Sequence, residues 1–456
     1  MTGEPGALDR RLSAIVGRHV DVHRVPGVAA CVVAGDETVW SIGRGFAELE
    51  RGTAVDERTA FRIGSITKTL TATAIVQLRD EGGLHLDDPL VAHVPEFAAV
   101  RNPWGPIESV TLRRLLTHEA GLPREAPGLD WTASTFPTTD QIVDELGRVE
   151  LVVAPDARAK YSNLGYQLLG EVIARVTGVS YRAYVRRELL EPLGMYDAGF
   201  EGEVGSADRL ASGHYPRTFS DTPPVAPARM KGTDAEGGLL ASVAGLAPWA
   251  SLQFRTGGSE RGGAQVLAGP SLAEMHRPRR LVDEGWTEAQ GLAWYCTRTP
   301  SGIVVGHTGG TFGFKSRLVF HPGARLAAIV LANGEGPAGS LAVELLQAAI
   351  EESGPHRACE PGLPVAPPDP YRELLGLYAW QDLSEPARVQ WREGQLEIVW
   401  SPSDVHALDP TDDPLTFVIR DGSEAGEPCA FRRGTDGEIV GLRIARWQLV
   451  RLVAAE

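Results

Sequence analysis

An α/β fold with a second, smaller β domain behind it is predicted by three observations. Strand-like apolar runs lie near both ends of roughly the first 350 residues. Helical patterns occupy the stretch between them. Past a proline-dense segment the pattern changes to short alternating runs. Residues 28–33 and 39–45 read as two strands around the turn Ala34-Gly-Asp-Glu-Thr38, a hairpin. Residues 302–307 and 316–320 read as strands flanking a Gly-rich turn, and residues 325–331 as a third. A helix at 341–350 packs behind them. Strands at both ends imply a sheet assembled from the termini of one unit, residues 1–353.

Between those strands, Leu70, Ala74, Ile75 and Leu78 recur at helical spacing until Gly82 stops the pattern. Residues 84–180 read as mainly helical, with Pro- and Gly-rich connections. The clearest helix covers 164–176, with Leu164, Leu168, Leu169, Val172, Ile173 and Val176 on one face and Asn163 or Ser162 as its cap. Residues 200–235 are polar and proline-containing, which predicts a long surface loop. Residues 354–370 read as a linker. In 371–456, alternating runs such as Leu396-Glu-Ile-Val-Trp400 broken by Gly and Asp turns predict a small antiparallel barrel or sandwich. Arg443 and Arg446 there read as part of a solvated strand face.

The net charge of −15 argues against nucleic acid and anionic membrane as partners. Cys31, Cys296, Cys359 and Cys429 are far apart, follow no metal-ligand spacing, and fit buried or neutral thiols in a reducing compartment. No metal or cofactor is implied. The first 25 residues carry no continuous signal-type apolar region, and no run reaches 18 apolar residues. The expected location is the cytoplasm.

The chemistry centres on Ser65 and Lys68 in Phe61-Arg-Ile-Gly-Ser-Ile-Thr-Lys-Thr-Leu70. Residues three apart are neighbours on a helix. A serine hydroxyl needs an adjacent base, and a lysine becomes one when burial lowers its pKa. Lysine is scarce here: 40 of the 44 basic residues are arginines, which cannot give up a proton. The first turn of a helix also favours developing negative charge at Ser65. Tyr161-Ser-Asn163 precedes a helix. Its phenol could relay the serine proton and its amide bind a carbonyl; a helix cap beside a buried aromatic reads the same residues. His307-Thr308-Gly309-Gly310 ends a strand, where glycines let a substrate backbone approach and His307 adds a pH-dependent cation or donor. A hairpin turn with a structural histidine is the alternative. Thr117-His-Glu-Ala-Gly-Leu-Pro123 reads as an architectural helix end.

Together and in this order, Ser65/Lys68, Tyr161/Asn163 and His307-Thr308-Gly309 resemble the motifs of the serine β-lactamase and penicillin-binding-protein family. Gly237-Gly-Leu-Leu-Ala-Ser-Val243 is similar to its esterase and D-aminopeptidase branch. The resemblance covers about residues 10–350. It implies an α/β domain with an all-helical insertion and a site between them. It makes Ser65 the acylated nucleophile, with Lys68 and Tyr161 sharing acid and base duty. Asn163 would orient the acyl amide, the N–H groups of Ser65 and Gly310 would form the oxyanion hole, and Thr308 and Gly309 would line the substrate. His307 replaces the usual lysine, which disfavours β-lactamase action. The histidine variant with an appended β domain resembles stand-alone penicillin-binding-protein-type thioesterases of nonribosomal peptide pathways. That implies a lipocalin-like barrel, a peptide substrate carried as a thioester on a peptidyl carrier protein, and macrocyclisation. In a cyclase, the 200–235 loop and the C-terminal domain would wall the cleft against water. A cytoplasmic esterase or D-stereospecific peptidase is the alternative, and a catalytically dead sensor is disfavoured by the intact trio Ser65, Lys68 and Tyr161.

Overall fold

The computed structural model describes residues 6–131, 135–204, 209–215, 224–225, 229–257, 264–282, 287–299, 302–336, 338–352, 369–379, 387–392, 395–401, 404–420, 425–444 and 447–454. The chain divides into two compact units, Met1–His356 and Arg357–Glu456. Most of the expected linker, up to residue 368, lies outside the described residues, as does Cys359; Asp369–Arg372 is a short helix.

The first unit is built on an antiparallel sheet. Its strands are β1 (Gly27–Ala34), β2 (Glu37–Glu48), β3 (Thr53–Ala54), β4 (Arg280–Leu281), β5 (Glu288–Gln290), β6 (Tyr295–Thr299), β7 (Gly302–Thr311), β8 (Phe314–His321) and β9 (Leu326–Ala332), in the order β3-β2-β1-β9-β8-β7-β6-β5-β4. The N-terminal hairpin joins the C-terminal strands through β1 and β9, whose register runs from Val28↔Ala332 to Ala34↔Leu326. Both strands are apolar at every position because both faces are covered. Ala29, Cys31 and Val33 enter the larger core, while Val28, Ala30 and Val32 enter a second core on the other face. That second core is closed by α1 (Ala7–His23), through Leu12, Ile15 and Val16, and by the helix Ala338–Glu352, through Leu341 and Leu345. The larger core holds α2 (Thr67–Asp80), α3 (Asn163–Thr177) and α4 (Val243–Leu252).

Several sequence expectations change. Among its described residues, the segment expected to be mainly helical holds one long helix, α3; the others there, such as Leu112–Leu116 and Thr139–Asp144, are short. The cap on α3 is Ser162, whose Oγ accepts the Gly165 N–H at 3.0 Å. The strand that carries His307 does not end there. Its pairing with β8 continues to Thr311↔Phe314, so Gly309 and Gly310 lie within the strand and the turn falls at Phe312 and Gly313. The expected surface loop is partly buried: Lys231–Thr233 and Asp234–Gly237 are helical turns, and Thr233, Ala235 and Glu236 are inaccessible. Residues 205–208, 216–223 and 226–228 of that loop lie outside the described residues.

The second unit is a closed barrel of eight antiparallel strands, from Gly376–Ala379 to Trp447–Ala454. The first strand pairs with the last, Gly376↔Ala454, so no sheet edge is left open. Closure decides between the barrel and the sandwich. Its interior is filled by side chains, with Tyr378, Phe417 and Phe431 packed edge to face. Arg443 is exposed on Ile439–Ile444, and Arg446 lies outside the described residues.

Ile329 is fully buried in β9, opposite Cys31. Ile329→Ala leaves a cavity where the two halves of the sheet meet. It is expected to destabilise the first unit by about 2–5 kcal/mol, read as a fall in its urea midpoint.

Candidate active site

Ser65 lies in a short 3₁₀ turn, Gly64–Ile66, that leads directly into α2, and not in the α-helix itself. Gly64 adopts φ +51, a left-handed conformation suited to glycine. The turn is seated against β7. A side chain on Gly309 would lie 2.0 Å from the Ile63 carbonyl, and one on Gly64 would lie 2.7 Å from the Gly310 nitrogen. Ser316 Oγ, on β8, donates to the Ile63 carbonyl at 2.8 Å. The glycines of the strand are therefore where the nucleophile segment touches the sheet, with the Gly310 amide beside the Ser65 turn.

Alpha-helix α2 begins Thr-Lys-Thr-Leu-Thr-Ala-Thr, a poor helix former by propensity. Burial overrides propensity because each hydroxyl finds a tertiary or backbone partner. Thr67 Oγ1 donates to the Gly64 carbonyl and accepts the Leu239 N–H, Thr71 Oγ1 donates to the Ala235 carbonyl, and Thr69 Oγ1 accepts the Trp249 Nε1–H. Two of these bonds lock the buried 234–240 segment onto the helix.

Lys68 is completely buried. Its Nζ reaches Ser65 Oγ at 3.1 Å, Asn163 Oδ1 at 2.8 Å and the Glu236 carbonyl at 2.7 Å. Burial lowers its pKa from 10.5 to about 8; Glu236 and Glu125 oppose the shift and Arg124 assists it. A neutral amine has two hydrogens and one lone pair. Its hydrogens can satisfy the Asn163 and Glu236 oxygens, which leaves the lone pair for the Ser65 hydroxyl. Tyr161 contacts the Ser65 hydroxyl, but burial dominates and pushes the phenol above its ordinary value. It is therefore a proton donor at rest, not a preformed base. The Lys68 Nζ lies 5.0 Å from the centre of the Tyr161 ring.

His307 is buried, its ring 5.3 Å from that of Tyr295. Burial, assisted by Lys68, pushes it down to about 3, so of the two expected roles, cation or donor, the cation is excluded and the ring is a neutral imidazole near pH 7. Its Nδ1 meets the Thr308 carbonyl at 2.6 Å and must carry the hydrogen, leaving Nε2 as a bare acceptor with no hydrogen-bond partner. Thr308 and Gly310 are exposed on the strand, while Gly309 faces inward.

Three neighbours of the site were not singled out from sequence. Glu125 accepts from Asn163 Nδ2 through both oxygens, at 2.9 and 3.1 Å. Glu236 is buried beside Lys68, with the Gln167 amide as its side-chain neighbour, and burial pushes it above the usual carboxylate range. His118, expected to be architectural, packs its ring 4.2 Å from that of Tyr161 and accepts the Ser162 N–H on Nδ1 at 3.2 Å. It adopts φ +59, rare for a residue with a side chain. The buried thiols Cys31, Cys296 and Cys429 are each pushed up to about 12 by burial and are unreactive. No group of His, Cys, Asp and Glu suited to a metal ion occurs among the described residues.

A family profile described as "Beta-lactamase" matches residues 12–351. The chain belongs to the β-lactamase family. Within this family it is 28% identical over 366 residues to "Penicillin-binding protein 4" of Amycolatopsis lactamdurans, covering 78% of this chain and 93% of that protein. It is 24% identical over 327 residues to "Protein flp" of Staphylococcus aureus, covering 71% of this chain but only 63% of that longer protein. Among solved structures, a penicillin-binding protein homologue from Pyrococcus abyssi, described as octameric, covers 97% of this chain at TM-score 0.65 and 23% identity, with 99% of that chain covered. SurE, solved with D-Leu, covers 98% at TM-score 0.60 and 26% identity, with 100% of that chain covered. A class C β-lactamase covers 77% of this chain at TM-score 0.64 and 20% identity, with 97% of that chain covered. The first two matches span nearly the whole chain, the C-terminal region included. The fold is that of the serine β-lactamases and penicillin-binding proteins, with a closed barrel added.

If neutral Lys68 is the base, kcat/KM with a p-nitrophenyl ester should rise with pH through about 8 and then level. The sign follows from a lysine that must lose its proton to act. His307→Gln should leave that limb in place, since the imidazole is already neutral. A Gly309→Ala variant should lose stability by roughly 1–3 kcal/mol and most activity, because the new methyl meets backbone and forces the Ser65 turn off the strand.

Proposed function

We propose that this protein is a penicillin-binding-protein-type thioesterase that macrocyclises a nonribosomal peptide delivered as a carrier-protein thioester. The observation that carries its chemistry is the buried Lys68, one helical turn from Ser65, with two carbonyl oxygens to hold its hydrogens. In the proposed cycle, Ser65 Oγ attacks the thioester carbonyl and its proton passes to Lys68. The carbonyl oxygen becomes an oxyanion held by the Ser65 and Gly310 N–H groups. Collapse breaks the carbon–sulfur bond, and the thiolate takes a proton from Tyr161, which Lys68 reprotonates. The peptide's own amine then attacks acyl-Ser65. Its proton returns through the same pair, and Ser65 leaves as the free hydroxyl. Thr308 would line the acyl group, Gly309 would hold the strand against the Ser65 segment, and a hydrogen on Asn163 Nδ2 beyond the one shared with Glu125 would meet the amide carbonyl of the acyl group.

Two observations fit this branch. His307 is neutral, so it offers no permanent charge for the carboxylate of a β-lactam. The likeness to SurE, solved with D-Leu, extends along 98% of the chain and fits an acyl group ending in a D-residue. The same likeness fits an esterase or D-stereospecific peptidase, in which water takes the place of the amine.

The test is a linear peptide with a C-terminal D-residue, supplied as a pantetheine-like thioester and followed by mass spectrometry. The expected product has the mass of the peptide less water, with a transient adduct on Ser65. A free-acid product would replace the cyclase with a hydrolase. Ser65→Ala should abolish the adduct without loss of fold, and Lys68→Ala and Tyr161→Phe should each slow turnover by at least roughly 10²-fold.

A further inference from the structure

Beyond the nucleophile and its base, the site holds a carboxylate with no assigned task. Glu125 lies in an irregular stretch after the Thr117–Pro123 turn, and its side chain is 23% exposed. Arg124 Nε stands 3.3 Å from its Oε1, and the Arg124 guanidinium lies over the Tyr161 ring at 4.9 Å. Both Glu125 oxygens take the Asn163 Nδ2, whose partner atom Oδ1 accepts from Lys68 at 2.8 Å. Asn163 thus spans the gap between an acid and a base, and it is itself buried.

An amide side chain can turn over and exchange its oxygen for its nitrogen. With lysine at one end and a carboxylate at the other, only one orientation serves both. An ammonium only donates, and a carboxylate only accepts. We infer that Glu125 is a positioning residue that acts through Asn163, holding its carbonyl oxygen toward Lys68 so that the lysine lone pair is left for Ser65. In the reversed orientation the Asn163 N–H groups would face Lys68. They would draw the lone pair of the neutral amine away from the nucleophile.

A glutamine at 125 would not impose this choice, because two facing amides satisfy each other either way round. It would also remove a negative charge that favours the lysine ammonium. The other groups facing Lys68 do not offset that loss. Glu236 favours the ammonium only when ionised, and burial raises it to about 8; Arg124 opposes the ammonium. His118 and His307 are kept neutral by burial, and so are the Tyr161 and Tyr166 phenols.

The inference rests on Ser65 acylation and not on the identity of the acceptor, so its test uses p-nitrophenyl acetate and the full chain. The wild-type burst of nitrophenolate and the acetyl adduct on Ser65 test the acylation reading by themselves. For E125Q, the acid limb of kcat/KM should move to lower pH while the plateau falls roughly 10- to 100-fold, the scale of a misoriented catalytic group. In an N163A background the same substitution should lower the plateau no further, since its route is gone. A wild-type profile for E125Q overturns the inference, as do losses that multiply in the double variant. Should E125Q fail to fold by circular dichroism, E125A is measured in the same way, with the same expected and overturning results.

Discussion

Burying a lysine ammonium at the end of a helix is the constraint around which the catalytic unit is organised. Removing such a charge from water costs several kcal/mol unless its hydrogens are taken up. Here the takers are two neutral oxygens, from Asn163 and the Glu236 backbone, and the Ser65 hydroxyl. Among the described residues no carboxylate pairs directly with Lys68, so its charge is tolerated without being fully stabilised, and its pKa falls. A direct ion pair would have kept the proton on the lysine. The reactive state of the site therefore follows from what Lys68 is denied as much as from what it touches.

That arrangement needs elements distant in sequence to meet within tenths of an ångström. The 3₁₀ turn before α2 brings Ser65, α2 brings Lys68, the first residue of α3 is Asn163, and the buried turn around Glu236 brings its carbonyl. Strand β7 closes the group from the other side, because Gly309 lacks a side chain where the Ile63 carbonyl arrives and Gly64 lacks one where the Gly310 nitrogen lies. The threonines of α2 fasten the helix to the 234–240 segment, so tertiary hydrogen bonds hold a sequence of modest helical propensity in the helix.

The aromatic layer adds a second level of control. The Tyr161 ring has the buried His118 ring at 4.2 Å, the exposed Arg124 guanidinium at 4.9 Å and Lys68 Nζ at 5.0 Å from its centre. All of its neighbours at hydrogen-bond or ring distance constrain the phenol, and burial keeps it protonated. A base with a lowered pKa and an acid with a raised one, placed on either side of one hydroxyl, divide the two halves of a proton cycle between them.

Local chemistry was legible in the chain by itself. The Ser65/Lys68 spacing, the Tyr161/Asn163 pair before a helix, the glycines after His307 and the apolar runs of β1, β8 and β9 all follow from short-range periodicity and residue type. The alternating pattern after residue 370 likewise announced an antiparallel β unit. What only the tertiary structure decided was burial and pairing across long separations. It closed the barrel through Gly376↔Ala454, drew the polar 233–237 stretch into the interior, and decided between the two states open to His307, cation or neutral ring, in favour of the neutral one. It also brought Glu125 and His118 to Asn163 and Tyr161, in a stretch with no periodic signal. A side chain's charge and the orientation of an amide depend on the dielectric and the partners around them, and neither is specified until distant segments pack.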